Sequence, residues 1–300
     1  MYCSPTHLKL ISGSPGSKSV EIKRFAEAPL PEGGMINGII TSEEIMIDFL
    51  RKVGEKMDLR SADLTLVIDN NSIRSKVMNV PPVNEATILD FVKREIGVVA
   101  SGTVTDDIFD YSVLNNVAGP DGAKILAVSV SKTLLTSYKT VVEQAGYKLK
   151  NIDIGINSMI KVAKLVRQLE GTSILAMIDG KSLMLSLFEK GEFSLTNRYR
   201  LMNAEGTQEW NNEIGGHLSS VIQFQKGQRS DSEVDSVFFA GITAMQVEGL
   251  NSSLGYLGIK MEALDLTGVA KYKQPQITSE DAPEFVGSKY ILNIGSLLRK

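Results

Sequence analysis

One order of elements occurs twice along the 300 residues, and it restricts the fold more than any single motif does. Between residues 8 and 69 a glycine-turned strand pair is followed by an extended connection, an amphipathic helix and an apolar strand ending in a polar turn. Residues 173–241 run through the same order and end at Gly241. In the first run, residues 8–11 and 20–25 have strand patterning around the turn Ser12-Gly13-Ser14-Pro15-Gly16. Ala28-Pro29-Leu30-Pro31-Glu32-Gly33-Gly34 is expected to be an irregular, extended connection, because proline fixes φ and removes a donor. Thr41 and Glu44 spell a capping box ahead of Ile45, Met46, Phe49, Leu50, Val53 and Met57 at helical spacing, and residues 64–68 form a buried type of strand. The second run has strand 173–178, the turn Asp179-Gly180-Lys181, a hairpin about Lys190-Gly191, a helix carrying Trp210, Ile214, His217, Leu218 and Val221, and strand 237–240. Thr243 is placed to cap a last amphipathic helix. A doubled α/β unit suits the actin-like arrangement, and in such folds ligands bind at the carboxyl ends of strands.

Residues between the two runs change in character. Residues 73–80 alternate as a strand, and Asn84 is placed to cap a helix with Ile88, Phe91, Val92 and Ile96. A loose segment over 97–105 precedes strand 108–114, a turn over 116–122 and strand 124–130. Ser131 then opens a helix with Leu134, Leu135, Tyr138, Val141 and Val142, stopped by Gly146. This stretch has the makings of a compact inserted module.

Charge and composition remove several functions. Lysine and arginine number 32 against 35 acidic residues, for a net charge of −3, so no basic surface for a phosphate backbone is expected. Cys3 is the only cysteine, which excludes an intrachain disulfide and a thiolate zinc site, and His7 and His217 are too few for a histidine-rich metal centre. No apolar run reaches the ~18 residues of a membrane span, and a cytoplasmic protein is expected.

Several segments are similar to the type IV pilus assembly protein PilM family. They are Phe25-Ala26-Glu27-Ala28-Pro29-Leu30-Pro31-Glu32-Gly33 with Ile36-Asn37-Gly38-Ile39-Ile40, the stretch Val141-Val142-Glu143-Gln144-Ala145-Gly146-Tyr147, and the tail Tyr290-Ile291-Leu292-Asn293-Ile294-Gly295. The resemblance runs in colinear order through nearly the whole chain. It implies an α/β, actin-like (ribonuclease-H-like) two-domain fold related to the cell-division protein FtsA, with an inserted 1C module of SHS2 type. The divisions it implies are subdomain 1A over 1–72 and 151–172, the 1C module over 73–150, and domain 2A over 173–300 with little or no 2B. It also implies an adaptor at the inner face of the cytoplasmic membrane. That adaptor binds the cytoplasmic N-terminal peptide of the membrane protein PilN in a groove between 1A and 1C, and connects to the motor ATPase of pilus assembly.

Departures from the family's pattern fall on its nucleotide loops. Aligning the family's phosphate lysine with Lys9 leaves Tyr2-Cys3-Ser4-Pro5-Thr6-His7 where an Asp-Ile-Gly loop is expected, with no residues for the strand before it. Asp179, Gly180, Lys181 and Ser182 stand in place of the second phosphate loop, followed by apolar Leu183 and Met184. The adenosine motif is reduced to Ala240-Gly241-Ile242-Thr243. Lys9, Asp179, Gly180, Lys181, Ser182 and Gly241 therefore mark a vestigial nucleotide cleft. The expectation is a scaffold without catalytic residues, metal or cofactor; the alternatives are an adaptor switched by ATP with magnesium, or an FtsA-like cell-division protein. His217 and Trp210 lie on an apolar helix face and are expected in the core, the histidine buried and hydrogen-bonded. Gly215-Gly216 is expected to serve either close packing or adenine approach. Asp106-Asp107 and the acidic run 231–235 are expected to be solvated loops.

Overall fold

The computed structural model describes residues 1–59, 62–97, 106–116, 122–228, 232–273 and 284–299. It divides into two compact units, Met1–Pro29 with Asp153–Lys300, and Leu30–Ile152. The expected segments 98–105 and 117–121, and Asp231, lie outside the described residues.

The first unit begins with β1 (Tyr2–Cys3), β2 (His7–Ser14) and β3 (Val20–Pro29), an antiparallel meander in the order β1-β2-β3. Two expectations are corrected here. A strand does precede the first loop: Tyr2 and Cys3 pair with Lys9 and Leu8. Only the start of the proline-containing segment stays in the sheet, with Leu8 opposite Ala28 and His7 opposite Pro29, whereas residues 30–34 are irregular as expected. Pro29 is tolerated because it ends the strand, where a missing N–H breaks no interior rung. Cys3 is buried, and burial pushes its thiol up to about 12 from an ordinary 9.0. Cys3 should thus resist a thiol reagent near neutral pH until denaturant is added. A thiol protonated more tightly in the folded state also withdraws stability as pH rises from 9.0 toward about 12. Rapid labelling of the native protein would show that β1 is not held as described.

The second unit holds β4 (Met35–Ile36), β5 (Ile39–Ile40), α1 (Glu43–Lys56), β6 (Asp63–Ile68), β7 (Arg74–Val80), α2 (Glu85–Gly97), β8 (Asp107–Asn116), β9 (Ala123–Ser131), α3 (Lys132–Gln144) and β10 (Lys148–Ile154). β10 lies beside β6, and a three-stranded sheet runs β7-β9-β8. α2 packs on that sheet through Val80, Ile88, Val92, Ile96, Ile125 and Ala127, whereas α3 packs against α1. Asn84 caps α2 as its position requires, accepting from the Thr87 amide at 2.9 Å. The cap of α1 is one residue later than expected: Ser42 accepts from the Ile45 amide, while the Thr41 hydroxyl donates to the Gly33 carbonyl at 2.7 Å. Ser131 stands at the N-cap of α3 without a capping side-chain bond. Asp107 is not a solvated loop residue, since it is half-buried and accepts from Arg74 and from the Ser129 hydroxyl.

The chain then returns to the first unit through α4 (Gly155–Ala163), β11 (Ser173–Asp179), β12 (Ser182–Glu189), β13 (Glu192–Arg200), α5 (Gln208–Gly227), β14 (Ser236–Ala240), α6 (Ala244–Ser253), β15 (Lys260–Ala263), β16 (Ala270–Tyr272) and α7 (Ile291–Leu297). Five strands run in the order β13-β12-β11-β14-β15, with β11, β14 and β15 parallel. Every residue of β11 is buried, as its unbroken apolar run requires. Its core joins Ile174, Ala176 and Phe239 to Trp210, Ile214 and Leu218 of α5. β16 extends the first meander beside β3, and α7 packs on α4 and β2. Among the described residues, no helix is long and apolar enough to cross a membrane.

Candidate functional site

Lys9, Asp179, Gly180, Lys181, Ser182 and Gly241 all belong to the first unit, and two tight turns organise them. The turn from β1 to β2 spans Ser4–His7. Ser4 N–H donates to the His7 carbonyl at 2.8 Å. The fully buried Ser4 hydroxyl accepts from the amides of Thr6 at 3.3 Å and His7 at 2.9 Å. Pro5 carries no N–H. All the turn's amides are therefore bonded internally, in the manner of a serine turn. The second turn joins β11 to β12, with Asp179 opposite Ser182 and the exposed pair Gly180-Lys181 as the loop. Gly180 has φ 58°, and a β-carbon there would lie 3.3 Å from the Thr6 hydroxyl, so the turns approach each other closely.

Lys9 joins them from below. Its Nζ donates to Asp179 Oδ1 at 3.0 Å, with side chains only 6% and 7% exposed. Asn293 of α7 donates from Nδ2 to the Lys9 carbonyl at 2.9 Å. Two buried acceptors around this lysine, Asp179 Oδ2 and Asn293 Oδ1, have no hydrogen-bond partner among the described residues. A buried charge is tolerated when it is paired, and here the pair is internal to the protein.

Gly241 ends β14. It has φ 89°, and a β-carbon would fall 1.9 Å from the Ile178 carbonyl, so glycine is required by the approach of two backbones. Thr243 and Gln246 form a complete capping box at α6, which occupies that helix N-terminus with its own side chains. Gly215 serves packing, since a β-carbon there would lie 2.6 Å from Leu254 Cδ2. Trp210 is buried in the core as expected. His217 differs from expectation: it is half-buried and stacks on Tyr199, ring centroids 4.0 Å apart and planes 23° apart. Beside it Glu213 accepts from the Met202 and Asn203 amides, and these bonds hold its carboxyl below the usual range against the opposing effect of burial.

A nucleotide with magnesium needs free donors for phosphate oxygens and a carboxylate free to hold the metal's water shell. The Ser4–His7 amides are all taken, and the Lys9 ammonium faces Asp179. The residues present do not fit a phosphate group at the first loop. Among the described residues no group of acidic, histidine or cysteine side chains is placed to hold a metal ion. Ser4 and Asn293 complete this constellation and are not apparent from patterning. A Ser-Pro turn hints at the first, while the second is brought in from a helix 284 residues away from Lys9.

A family model described as type IV pilus assembly protein PilM matches residues 3–191. Among solved structures, the chain superposes on one described as the PilM–PilN type IV pilus biogenesis complex with a TM-score of 0.78 and 14% identity, over 99% of this chain and 96% of that one. It also matches the cytoplasmic domain of EpsL, an inner membrane component of the type II secretion system of Vibrio cholerae, with a TM-score of 0.51 and 8% identity, over 100% of this chain and 93% of that one. No curated protein sequence matches. At these identities the structural likeness bears on the fold, which is the actin-like α/β class expected from the sequence.

Proposed function

The chain belongs to the type IV pilus assembly protein PilM family, and from that premise we propose that it is an adaptor that works without hydrolysing nucleotide. Its role lies in type IV pilus assembly. In this reading it captures the cytoplasmic N-terminal segment of a PilN-like inner-membrane protein, which holds it at the inner face of that membrane. The similarity to a PilM solved with PilN supports the choice of partner. The motor ATPase of the assembly machinery is the second partner. Residues 1–72 and 151–172 then serve as subdomain 1A, 73–150 as the inserted 1C module and 173–300 as domain 2A.

One observation carries the nucleotide-independent part: the Ser4–His7 turn spends all its amides on itself while Lys9 is neutralised by Asp179. A short peptide suits the alternative role, because an extended segment beside a small sheet gains main-chain hydrogen bonds together with a few apolar anchors. A second reading, binding of Mg-ATP, is favoured only by the open Asp179 Oδ2.

Isothermal titration with Mg-ATP, paired with a thermal melt, tests this. No heat and no shift in melting temperature are expected. Saturable binding would overturn the reading, since a ligand at 100 times its dissociation constant stabilises a fold by about 2.7 kcal/mol. Titration with the PilN-like segment is expected to give saturable heat with the same protein.

A further inference from the structure

Among the described residues, the most exposed large apolar side chains all belong to one part of the first unit. Met245 is 81% exposed, Met202 73% and Tyr256 70%, ahead of every other large apolar residue described. Met202 sits in the loop between β13 and α5, Met245 in the first turn of α6, and Tyr256 in the 3-10 turn Gly255–Leu257. Side-chain contacts hold these pieces to one another. Glu205, in the same loop as Met202, accepts from Gln246 Nε2 of α6. Asn211 of α5 donates to the Ser253 hydroxyl at 2.9 Å. A β-carbon at Gly215 of α5 would lie 2.7 Å from the Tyr256 hydroxyl oxygen, so the tip of that ring lies against α5. The outer face continues along α6, where Met245, Glu248 and Ser252 are exposed at helical spacing. Large apolar side chains on fixed elements, left in water, mark a surface made for covering. Methionine suits such a surface, because its unbranched, polarisable side chain moulds to what it meets.

Charge narrows the occupant. No lysine or arginine occurs over residues 201–225 or 230–259. Glu205, Glu209 and Glu248 are exposed and form no ion pair among the described residues. A rim of this sign repels nucleic acid and anionic membrane surfaces and attracts lysine and arginine. Backbone bonding narrows it further. The Met202 and Asn203 amides donate to Glu213, and the Trp210 amide donates to the Thr207 hydroxyl. Across the rim the Thr243 amide donates to the Gln246 side chain, and the Gln246 amide to the Thr243 side chain. An extended segment gains affinity from main-chain partners, which these amides no longer offer. A helix closes its own backbone bonds and needs only side-chain contacts.

We propose that the rim formed by loop 201–207, the start of α5 and the outer face of α6 docks a basic amphipathic helix of a protein partner. The apolar stripe of that helix covers Met202 and Met245, and its lysines or arginines meet Glu205, Glu209 and Glu248. This goes beyond the adaptor reading and does not depend on it, since the rim is built wholly from the first unit.

The test uses the full chain and a fluorescein-labelled peptide of leucine and lysine with its leucines at helical spacing, followed by anisotropy. A peptide of the same composition in scrambled order is the control. Saturable binding of the amphipathic peptide is expected, with the scrambled one at least tenfold weaker. Met202→Ser with Met245→Ser is expected to weaken binding roughly tenfold, as loss of central apolar anchors does. Glu209→Gln with Glu248→Gln is expected to weaken it less and to flatten its dependence on salt. All four side chains are exposed, so thermal melts of the variants should match the parent. No binding to the parent, or equal binding by parent and variants, would overturn the docking surface. Equal affinity for the scrambled peptide would overturn it as well, because attraction of charge alone would then account for the binding.

Discussion

Asp179→Ala alone should cost about 3–5 kcal/mol of folding stability, the usual penalty for breaking a buried ion pair from one side. The change strands the Lys9 ammonium, whose side chain is only 6% exposed, with the carboxylate removed from 3.0 Å away. The double variant Lys9→Met, Asp179→Leu should lose much less, because apolar replacement of both members removes the desolvation cost along with the attraction. Urea unfolding midpoints of the parent, Asp179→Ala, Lys9→Met and the double variant read this directly. A double-variant loss equal to the sum of the two single-variant losses would mean that Lys9 and Asp179 act independently. Such a result would also undercut the view that the pair replaces an external ligand's charge at this site.

Gly241→Ala should be comparably damaging for a different reason. Its β-carbon would lie 1.9 Å from the Ile178 carbonyl, at a backbone φ of 89°. Neither β11 nor β14 can yield easily, since both are buried throughout and paired in register from Ser173–Ser236 to Met177–Ala240. A loss of about 4 kcal/mol or more is expected, within the range reserved for overpacking and backbone strain together. Gly146→Ala is the control. It has φ 96° but nothing within 4 Å of a β-carbon, so only the backbone term of about 1–2 kcal/mol should appear. Similar losses at the two glycines would remove the argument that strand approach, not conformation alone, demands Gly241.

Local patterning makes much of the second run legible. An unbroken apolar stretch over residues 174–178, bounded by Ser173 and the Asp179-Gly180 turn, has the length and pattern of a strand buried on both faces, and β11 is that strand. Asn84 and Thr243 cap their helices because short polar side chains ahead of an apolar period satisfy open amides. The first run is harder to read at its start. β1 has two residues, too few to show a period, and it exists because Lys9 and Leu8 offer it a template. Once β1 is counted, both runs share the chain order of three strands, a helix and a strand: β1, β2, β3, α1, β6 and β11, β12, β13, α5, β14, with β4 and β5 interposed in the first. The Ser4–His7 turn thereby becomes the counterpart of the turn between Asp179 and Ser182.

Sequence by itself determines the α/β class, the family resemblance, the doubled order and the lack of residues for a thiolate or histidine metal centre. Those properties depend on residue type and on spacing within one element. Tertiary structure alone decides that Lys9 meets Asp179, that Ser4 consumes its own turn's amides, that His217 stacks on Tyr199, and that the loop carrying Met202 is bonded to the helix carrying Met245. Each of these depends on which strand or helix lies alongside, and periodicity carries no record of contacts between residues as far apart as 9 and 179.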